Sequence, residues 1–460
     1  MNLPNYFLAD LPREATLTAG MIGEACRTLK RNRQNFLACR STQSLVEILS
    51  GVAAQWLQPD YPFRKFALHH GPAVTGFARA TLLNGLEAFF RQLTPENFNA
   101  LLIQELGHPK RLDQVVSDAA DQSPEGPRRG AIAIGPELLV HVAAGDIPNP
   151  TLTSIVLGVL TRSAQFVKCP SSAAAGFLPR LFAHSLYEAQ PKLGACLEIA
   201  QWRGGNADLE TALFGQADCV TVAGRDETLA DVRRRLPPGA RFVGYGHRVS
   251  FGYIAGGTLS GFHAKEVAAR AAADVVAWNQ LGCLSPHVLY VEHGAGLAAE
   301  RFAEMLADEL AKREETEPRG EIPKETAAAI ASRRALYEVR AAHSPETLFW
   351  KSQNSTAWTV VYESDPRFQL SCLNRFIYVK GVPDLKTALV SADPVRGQVA
   401  TVGLAAPEEN AREVAMQLAR WGVTRICPLG EMQNPPLTWR HDGRPTLGDL
   451  VTWTDWEKQA

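Results

Sequence analysis

The stretch HVAAGDIPNPTLTSIVLGVLTRSAQFVKCPSS, residues 141–172, decides the fold. It holds an apolar strand end, a Gly/Pro turn, a helix-like run and a second apolar strand. TLTSIVLGVLTRS (151–163) carries apolar residues at helical spacing and begins after Pro150, a residue suited to a helix start. AQFVKCP (164–170) is a short apolar run closed by a turn, the pattern of a buried strand. Upstream, AIAIGPELLVHVAAG (131–145) reads as a strand hairpin or as two short strands. Downstream the alternation continues: a helix at 173–189, strands at 196–202 and 217–224, a helix at 225–236 and a strand at 241–247. Such alternation predicts an α/β fold with a doubly wound, mostly parallel sheet and ligand contacts at the carboxyl ends of its strands.

The first hundred residues read as helical, with apolar periodicity over 43–57 and 70–93. SDAADQSPEGPRRG (117–130) reads as a loop. A second α/β segment holds a helix-like run at 266–278, an apolar strand at 287–291, an amphipathic helix at 299–315 and a loop at 316–325. The tail from 427 is rich in Pro, Gly and aromatics. It reads as a structured cap, because Trp439, Leu447 and Trp453 need a surface to bury against. The expected division is 1–248 for N-terminal helices with a dinucleotide-binding α/β domain, 249–427 for a catalytic α/β domain, and 428–460 for the cap.

The chain has 460 residues, 46% apolar and 21% charged, with a formal net charge of -1. No polyanion partner such as nucleic acid is implied by that balance. No apolar run is long enough to span a bilayer, and the N-terminus lacks a basic start followed by an apolar core. The eight cysteines include no CxxC pair and no zinc spacing with His, so no metal is expected. Free thiols point to a reduced, cytoplasmic protein.

AWNQLGCLSP (277–286) sets Cys283 after a glycine, in a polar break between a helix-like run and a strand. That break can present a thiol to a cleft, or hold an ordinary buried cysteine. Four further patches each follow an expected strand: GDIPNP (145–150), KCPSS (168–172), AGRDE (223–227) and GYGHR (244–248). Neither GxGxxG nor a P-loop is present, so any nucleotide would have to use these patches.

These segments, with RICPLGEMQNPPLTWRHDG, resemble the LuxC-type acyl-CoA reductases, a branch of the aldehyde dehydrogenase superfamily. The resemblance runs from about residue 141 to the C-terminus. It implies an aldehyde dehydrogenase-like fold in which Cys283 is the nucleophile: its thiolate attacks an acyl thioester, expels the donor thiol and holds the acyl group. It aligns Asp146 with a residue whose amide stabilises the oxyanion, where relatives usually carry Asn. Three arrangements follow: Asp146 protonated by burial, Asn149 supplying the amide, or the backbone N–H of Cys283 acting largely alone. Read alone, Gly145 and Pro148 shape a turn and Asp146 caps the next helix.

The same resemblance sets Lys168 and Ser171 along the adenosine ribose of a dinucleotide. No acid stands at Pro170, Ser171 or Ser172, which favours NADPH over NADH; read alone, Lys168 is a strand-end lysine. Gly224 and Arg225 correspond to the turn facing the pyrophosphate, while Asp226 and Glu227 also suit a plain helix first turn. Val243 occupies the position at which hydrolytic relatives place a water-activating Glu. His247 is a proton donor or acceptor near the site, or a structural histidine. Glu363 corresponds to the Glu that binds the nicotinamide ribose, or is a solvated loop acid.

The implied reaction is reduction of an acyl-CoA or acyl-protein thioester to an aldehyde, with an acyl-transfer enzyme as partner and a homo-oligomeric assembly. Two other readings stay open: oxidation of an aldehyde to a free acid, and a non-reducing subunit that carries an acyl group on Cys283.

Overall fold

The computed structural model describes the chain except residues 1–2, 13, 118–121, 124–125, 128, 144, 146, 261–262, 295–297 and 458–460. Asp146 and part of the expected loop 117–130 lie outside the described residues.

Two α/β layers and a helical N-terminal layer build the molecule. Five parallel strands make the first sheet, in the order Leu197–Gln201, Ala164–Cys169, Leu138–Val142, Cys219–Ala223, Arg241–Tyr245. Chain order along it is 3-2-1-4-5, so the winding reverses between Leu138–Val142 and Cys219–Ala223. Crevices at such reversals receive ligands in open α/β sheets. The central strands are buried on both faces, as parallel strands covered by helices must be. His141 locks three of them together: Nδ1 meets Thr221 Oγ1 at 2.7 Å and Nε2 meets Gln165 Oε1 at 3.0 Å. Burial drives its pKa down to about 4, so the ring is neutral and makes both bonds without a buried charge.

The opening stretch folds as read, with one refinement. Its helix spans Asn149–Leu160 and takes Asn149 and Pro150 into the first turn, where the missing N–H of Pro150 costs nothing. Arg129–Ile134 and Leu138–Val142 enter different sheets, so 131–145 is two strands and not a hairpin.

Seven strands make the second sheet, in the order Thr347–Lys351, Thr359–Glu363, Phe376–Val382, Pro286–Glu292, Val249–Ile254, Val399–Ala405, Ile426–Pro428. All neighbours are parallel except the first pair. Three departures from the sequence reading stand out. The run 70–93 is two helices, Pro62–Thr75 and Arg79–Arg91, broken at Gly76, whose φ of 77° suits glycine alone. A long helix, Lys324–His343, follows the loop after 316 and was not foreseen. In the tail, Leu447 is buried and Trp439 half-buried, but Trp453 is 43% exposed. Trp453 lies on the strand Thr452–Glu457, which pairs on one side only, antiparallel with Arg129–Ile134. Its ring gains the guanidinium of Arg111 at 5.5 Å instead of an apolar wall.

The N-terminal helices meet the second α/β layer through Trp278. Phe77 packs edge-on to its ring at 5.2 Å, and a Cβ built on Gly85 would lie 2.0 Å from its Cζ2. Gly85→Val forces that wall apart and gains only about 0.3 kcal/mol of helix propensity in return. It should lower stability by about 1–3 kcal/mol, the usual cost of overpacking. An unchanged midpoint in urea unfolding would show that the wall yields freely.

Candidate active site

Cys283 owes its position to a backbone reversal. The helix His263–Val276 ends, and Trp278, Asn279 and Gln280 then adopt φ of 49°, 52° and 64°. Three consecutive left-handed non-glycine residues, one of them a tryptophan, are costly and persist only where the surroundings fix them. Here side chains do so. Gln280 Nε2 donates to Pro286 O at 2.7 Å and Phe376 O at 2.9 Å. Asn279 Nδ2 donates to Arg319 O at 2.8 Å, and its Oδ1 accepts from Arg375 Nε at 3.1 Å. Arg375 itself closes a second left-handed run, Leu373 to Arg375, and donates to Glu314 Oε2 and Glu317 O, each at 2.8 Å.

Gly282 comes next: a Cβ there would stand 2.4 Å from Gln433 Nε2, so that amide, which donates to Ser285 Oγ at 2.5 Å, would have to shift. Cys283 follows in an open turn, with its carbonyl held by Ser250 Oγ at 2.8 Å. The residue keeps an exposed surface, so the thiol is accessible and is not a core cysteine. Protein atoms still crowd it enough that desolvation pushes the thiol up to about 11, with the Asp442 carboxylate acting in the same direction. The amides of Cys283 and Leu284 and the Arg248 guanidinium act against this. Cys26, Cys169, Cys196, Cys219 and Cys427 are buried.

The tail supplies one wall. Asp274, on the helix before the reversal, accepts from Gly430 N at 2.6 Å and Met432 N at 2.8 Å. Arg425 holds the same loop through Met432 O at 2.6 Å and Glu431 O at 2.8 Å. Further on, Asp442 Oδ2 lies 3.2 Å from Arg248, and His441 stacks on Tyr245 with centroids 4.1 Å apart. None of these tail contacts was foreseen residue by residue.

Asn149 opens the helix after the GDIPN turn. Pro148 holds the cap position and makes no side-chain cap. Asn149 Oδ1 is buried, with no hydrogen-bond partner among the described residues. Val243 is buried within its strand, so no acid or base stands at that position. His247 is exposed; its backbone N–H donates to Asp226 Oδ1 at 3.2 Å, tying the GYGHR turn to the AGRDE turn. Asp226 therefore does more than open a helix. His247 also faces His287, whose pKa falls to about 4 through burial first and the His247 charge second.

At the carboxyl edge of the first sheet, Lys168 is largely buried, with Nζ 5.7 Å from the centre of the Trp202 ring and 3.8 Å from where a Gly204 Cβ would stand. Burial lowers its pKa, while nearby Glu210 opposes that shift. Glu210 reaches this edge from another segment. It is already engaged, by Arg235 at 2.6 Å and Gly205 N at 2.9 Å. Ser171 is exposed, and Ser172 caps the next helix by accepting from Ala175 N at 3.2 Å. Gly224 donates its N–H to Tyr245 O at 3.1 Å, and Arg225 is exposed at the start of the helix Asp226–Arg235.

Glu363 is not brought to this edge, nor is it a solvated loop acid. It ends the strand Thr359–Glu363, is buried, and is bound by Arg340 at 2.6 Å and by Lys380 and the Tyr337 hydroxyl at 3.4 Å each. In register it lies opposite Lys380, well along the strands from the Pro286 end where Cys283 sits. Among the described residues no group of three or more His, Cys, Asp or Glu is placed to hold a metal ion. No described helix is long and apolar enough to cross a membrane.

A five-stranded parallel sheet wound 3-2-1-4-5, joined to a second mostly parallel sheet whose central strand follows the Cys283 turn, is an aldehyde dehydrogenase-like fold. Solved structures bear this out. A NAD-dependent benzaldehyde dehydrogenase from Corynebacterium glutamicum superposes with a TM-score of 0.65 at 14% identity, covering 99% of this chain and 93% of that one. Aldehyde dehydrogenase C from Pseudomonas syringae, solved with NAD+ and octanal, gives 0.67 at 11% identity, covering 96% and 90%. Within that fold the chain belongs to the acyl-CoA reductase (LuxC) family, whose profile matches residues 37–453. A relative, long-chain acyl-protein thioester reductase 2 of Photobacterium leiognathi, is 23% identical over 326 residues, 70% of this chain. The match spans 64% of that relative's length.

Because its thiol is held high, Cys283 should alkylate slowly at neutral pH and keep accelerating beyond about pH 9. Iodoacetamide labelling, followed at the Cys283 peptide, checks this; a plateau already reached near neutrality would contradict it.

Proposed function

We propose that this chain reduces a long-chain fatty acyl thioester to an aldehyde through a covalent acyl-enzyme on Cys283. The observation that carries the reading is the exposed Cys283 thiol, presented by a locked turn, with apolar Val243 where a hydrolytic base would stand. The name of the matched relative supports a fatty acyl thioester as substrate, donated by a protein or by CoA.

Cys283 attacks the thioester carbonyl, the donor C–S bond breaks, and the thiol proton ends on the departing thiolate. The Cys283 backbone N–H and the Asn149 side-chain N–H2 would donate to the developing oxyanion. Lys168, Ser171, Gly224 and Arg225 would hold the dinucleotide. The Lys168 cation, with the nearby Glu210 already paired to Arg235, supports NADPH over NADH. A reduced nicotinamide bound there supplies the hydride. Breaking the bond between Cys283 sulfur and the reduced carbon then releases aldehyde and restores the thiol. His247, exposed beside the site, exchanges protons with solvent. Because no base lies at Val243, water does not divert the acyl group to free acid.

The reading extends to organisation. The division at 248/249 falls between strands of different sheets, and 428–460 serves as a cap over the Cys283 turn. The half-paired strand Thr452–Glu457, with exposed Trp453 and Trp456, suits a subunit contact, and an acyl-transfer enzyme suits the role of donor. Free thiols fit a reducing, cytoplasmic setting.

Cys283→Ala should abolish aldehyde formation and acyl labelling while leaving NADPH binding intact. Turnover persisting in that variant overturns the reading, and steady free-acid production by the unaltered enzyme would favour an oxidising enzyme instead. Lys168→Ala should weaken NADPH by roughly ten- to hundredfold, the worth of one charge-assisted contact, with a smaller effect on NADH; equal losses for both would remove the case for NADPH.

A further inference from the structure

The turn Leu8–Asp10 packs on Leu197–Gln201, the edge strand of the first sheet, which has a strand neighbour on one side only. Just before it, Tyr6 and Phe7 pack on the helix Ala173–Ala189. Tyr6 stacks on Tyr187 with centroids 3.9 Å apart and donates its hydroxyl to Glu188 at 3.0 Å. Phe7 meets the His184 ring edge-on at 5.0 Å. Two carboxyl groups clip the segment down. Asp10 Oδ2 accepts from Tyr6 N at 2.9 Å and Phe7 N at 2.8 Å, while Oδ1 faces His184 Nε2 at 3.0 Å and pairs with Arg180. Glu198 Oε1, on the edge strand, accepts from Leu8 N at 2.7 Å and from Ile199 N at 3.0 Å. Cys196 and Trp202 bond the neighbouring strand, so by alternation the Ile199 N–H points outward. One oxygen therefore satisfies the sheet edge and holds the segment.

The helix and the strand joined in this way frame the turn 168–172 from both sides. The helix begins there, capped by Ser172. At the end of the strand, Gln201 Nε2 donates to Pro170 O at 3.3 Å and Ser172 O at 3.1 Å. Trp202 comes next, its ring centre 5.7 Å from Lys168 Nζ. The contacts of the N-terminal segment lie toward the remote ends of both elements, at 184–188 and at Glu198. Turn, helix, N-terminal segment and strand thus close a ring of contacts.

We propose that the N-terminal segment is a latch that sets dinucleotide affinity. Docked, it clamps the helix to the edge strand and holds the turn 168–172 in its binding shape. Undocked, it lets the two part and weakens that site. This rests on the reading of Lys168 and Ser171 as dinucleotide contacts. An edge strand has no second ladder to fix it; here the side chains of Glu198 and Gln201 do so. Of residues 3–10 only Phe7 and Asp10 are buried, so the segment opens at small cost compared with the core. A segment with docked and undocked states responds to any ligand that binds one state better. The coupling runs both ways: a latch that favours the dinucleotide is favoured by it to the same factor.

The test is amide hydrogen exchange in the full chain, read on peptides covering residues 6–10, beside NADPH titration. Saturating NADPH should slow exchange there. Asp10→Ala should speed it and raise the NADPH Kd by about fivefold or more, the low end of measured couplings, with the rate at saturating NADPH unchanged. Tyr6→Ala, which spares the buried Asp10–His184 contact, should act in the same sense and carries the test if Asp10→Ala does not fold. Glu198→Ala should match it, and Glu198→Gln, which keeps an acceptor oxygen, should restore both readouts. Burial pushes the Glu198 carboxyl up to about 8, so an uncharged acceptor already serves there near neutral pH. Faster exchange across the segment with the NADPH Kd unmoved overturns the inference, as does NADPH that leaves exchange unchanged. NADPH binding that survives Lys168→Ala intact takes down the parent reading instead, and this inference with it.

Discussion

The left-handed turn Trp278–Gln280 is the constraint on which the rest depends. It is unfavourable by itself, since each residue sits where its Cβ crowds the backbone. It exists because Gln280, Asn279 and Arg375 spend their hydrogen bonds on it, and because the helical layer walls in Trp278. Reversing the chain there places Gly282 against Gln433 and turns Cys283 outward at the mouth of the second sheet. A relaxed turn would let the sulfur drift, and an attack on a carbonyl loses rate steeply with small misplacement.

Electrostatics around the sulfur follows from the same packing. Desolvation alone opposes the thiolate, and the fold sets one cation and one anion against each other beside it. The amides of Cys283 and Leu284 provide the remaining stabilisation, and they point where they do because the turn fixes them. Ionisation of Cys283 thus responds to parts of the chain far apart in sequence: the tail, the start of a central strand and the turn itself.

Much of the fold was legible beforehand because its signals are local. Helix and strand periods differ, parallel strands buried on both faces read as continuous apolar runs, and Gly/Pro turns separate them. The setting of Cys283 was legible for the same reason. Three things were not. Trp453 was expected to be buried, but the side chain of an edge strand is covered only if a second layer reaches it. Glu363 was assigned to a ribose, yet Arg340 and Lys380, which claim it, come from other elements. Asp442 and Arg248 carry no local signature; they pair only because a tail turn and a strand start meet in space.

The contact between Gly85 and Trp278 bears on how such a chain can be divided. The helical layer is a buttress for the Trp278–Gln280 reversal, which the two sheets alone do not enclose. A shortened version beginning near the first sheet strand would keep every polar group that holds the Cys283 turn and still lose the wall that sustains the reversal. Domain shuffling that swaps the helices for foreign ones would have to reproduce a bare backbone patch the size of an indole ring.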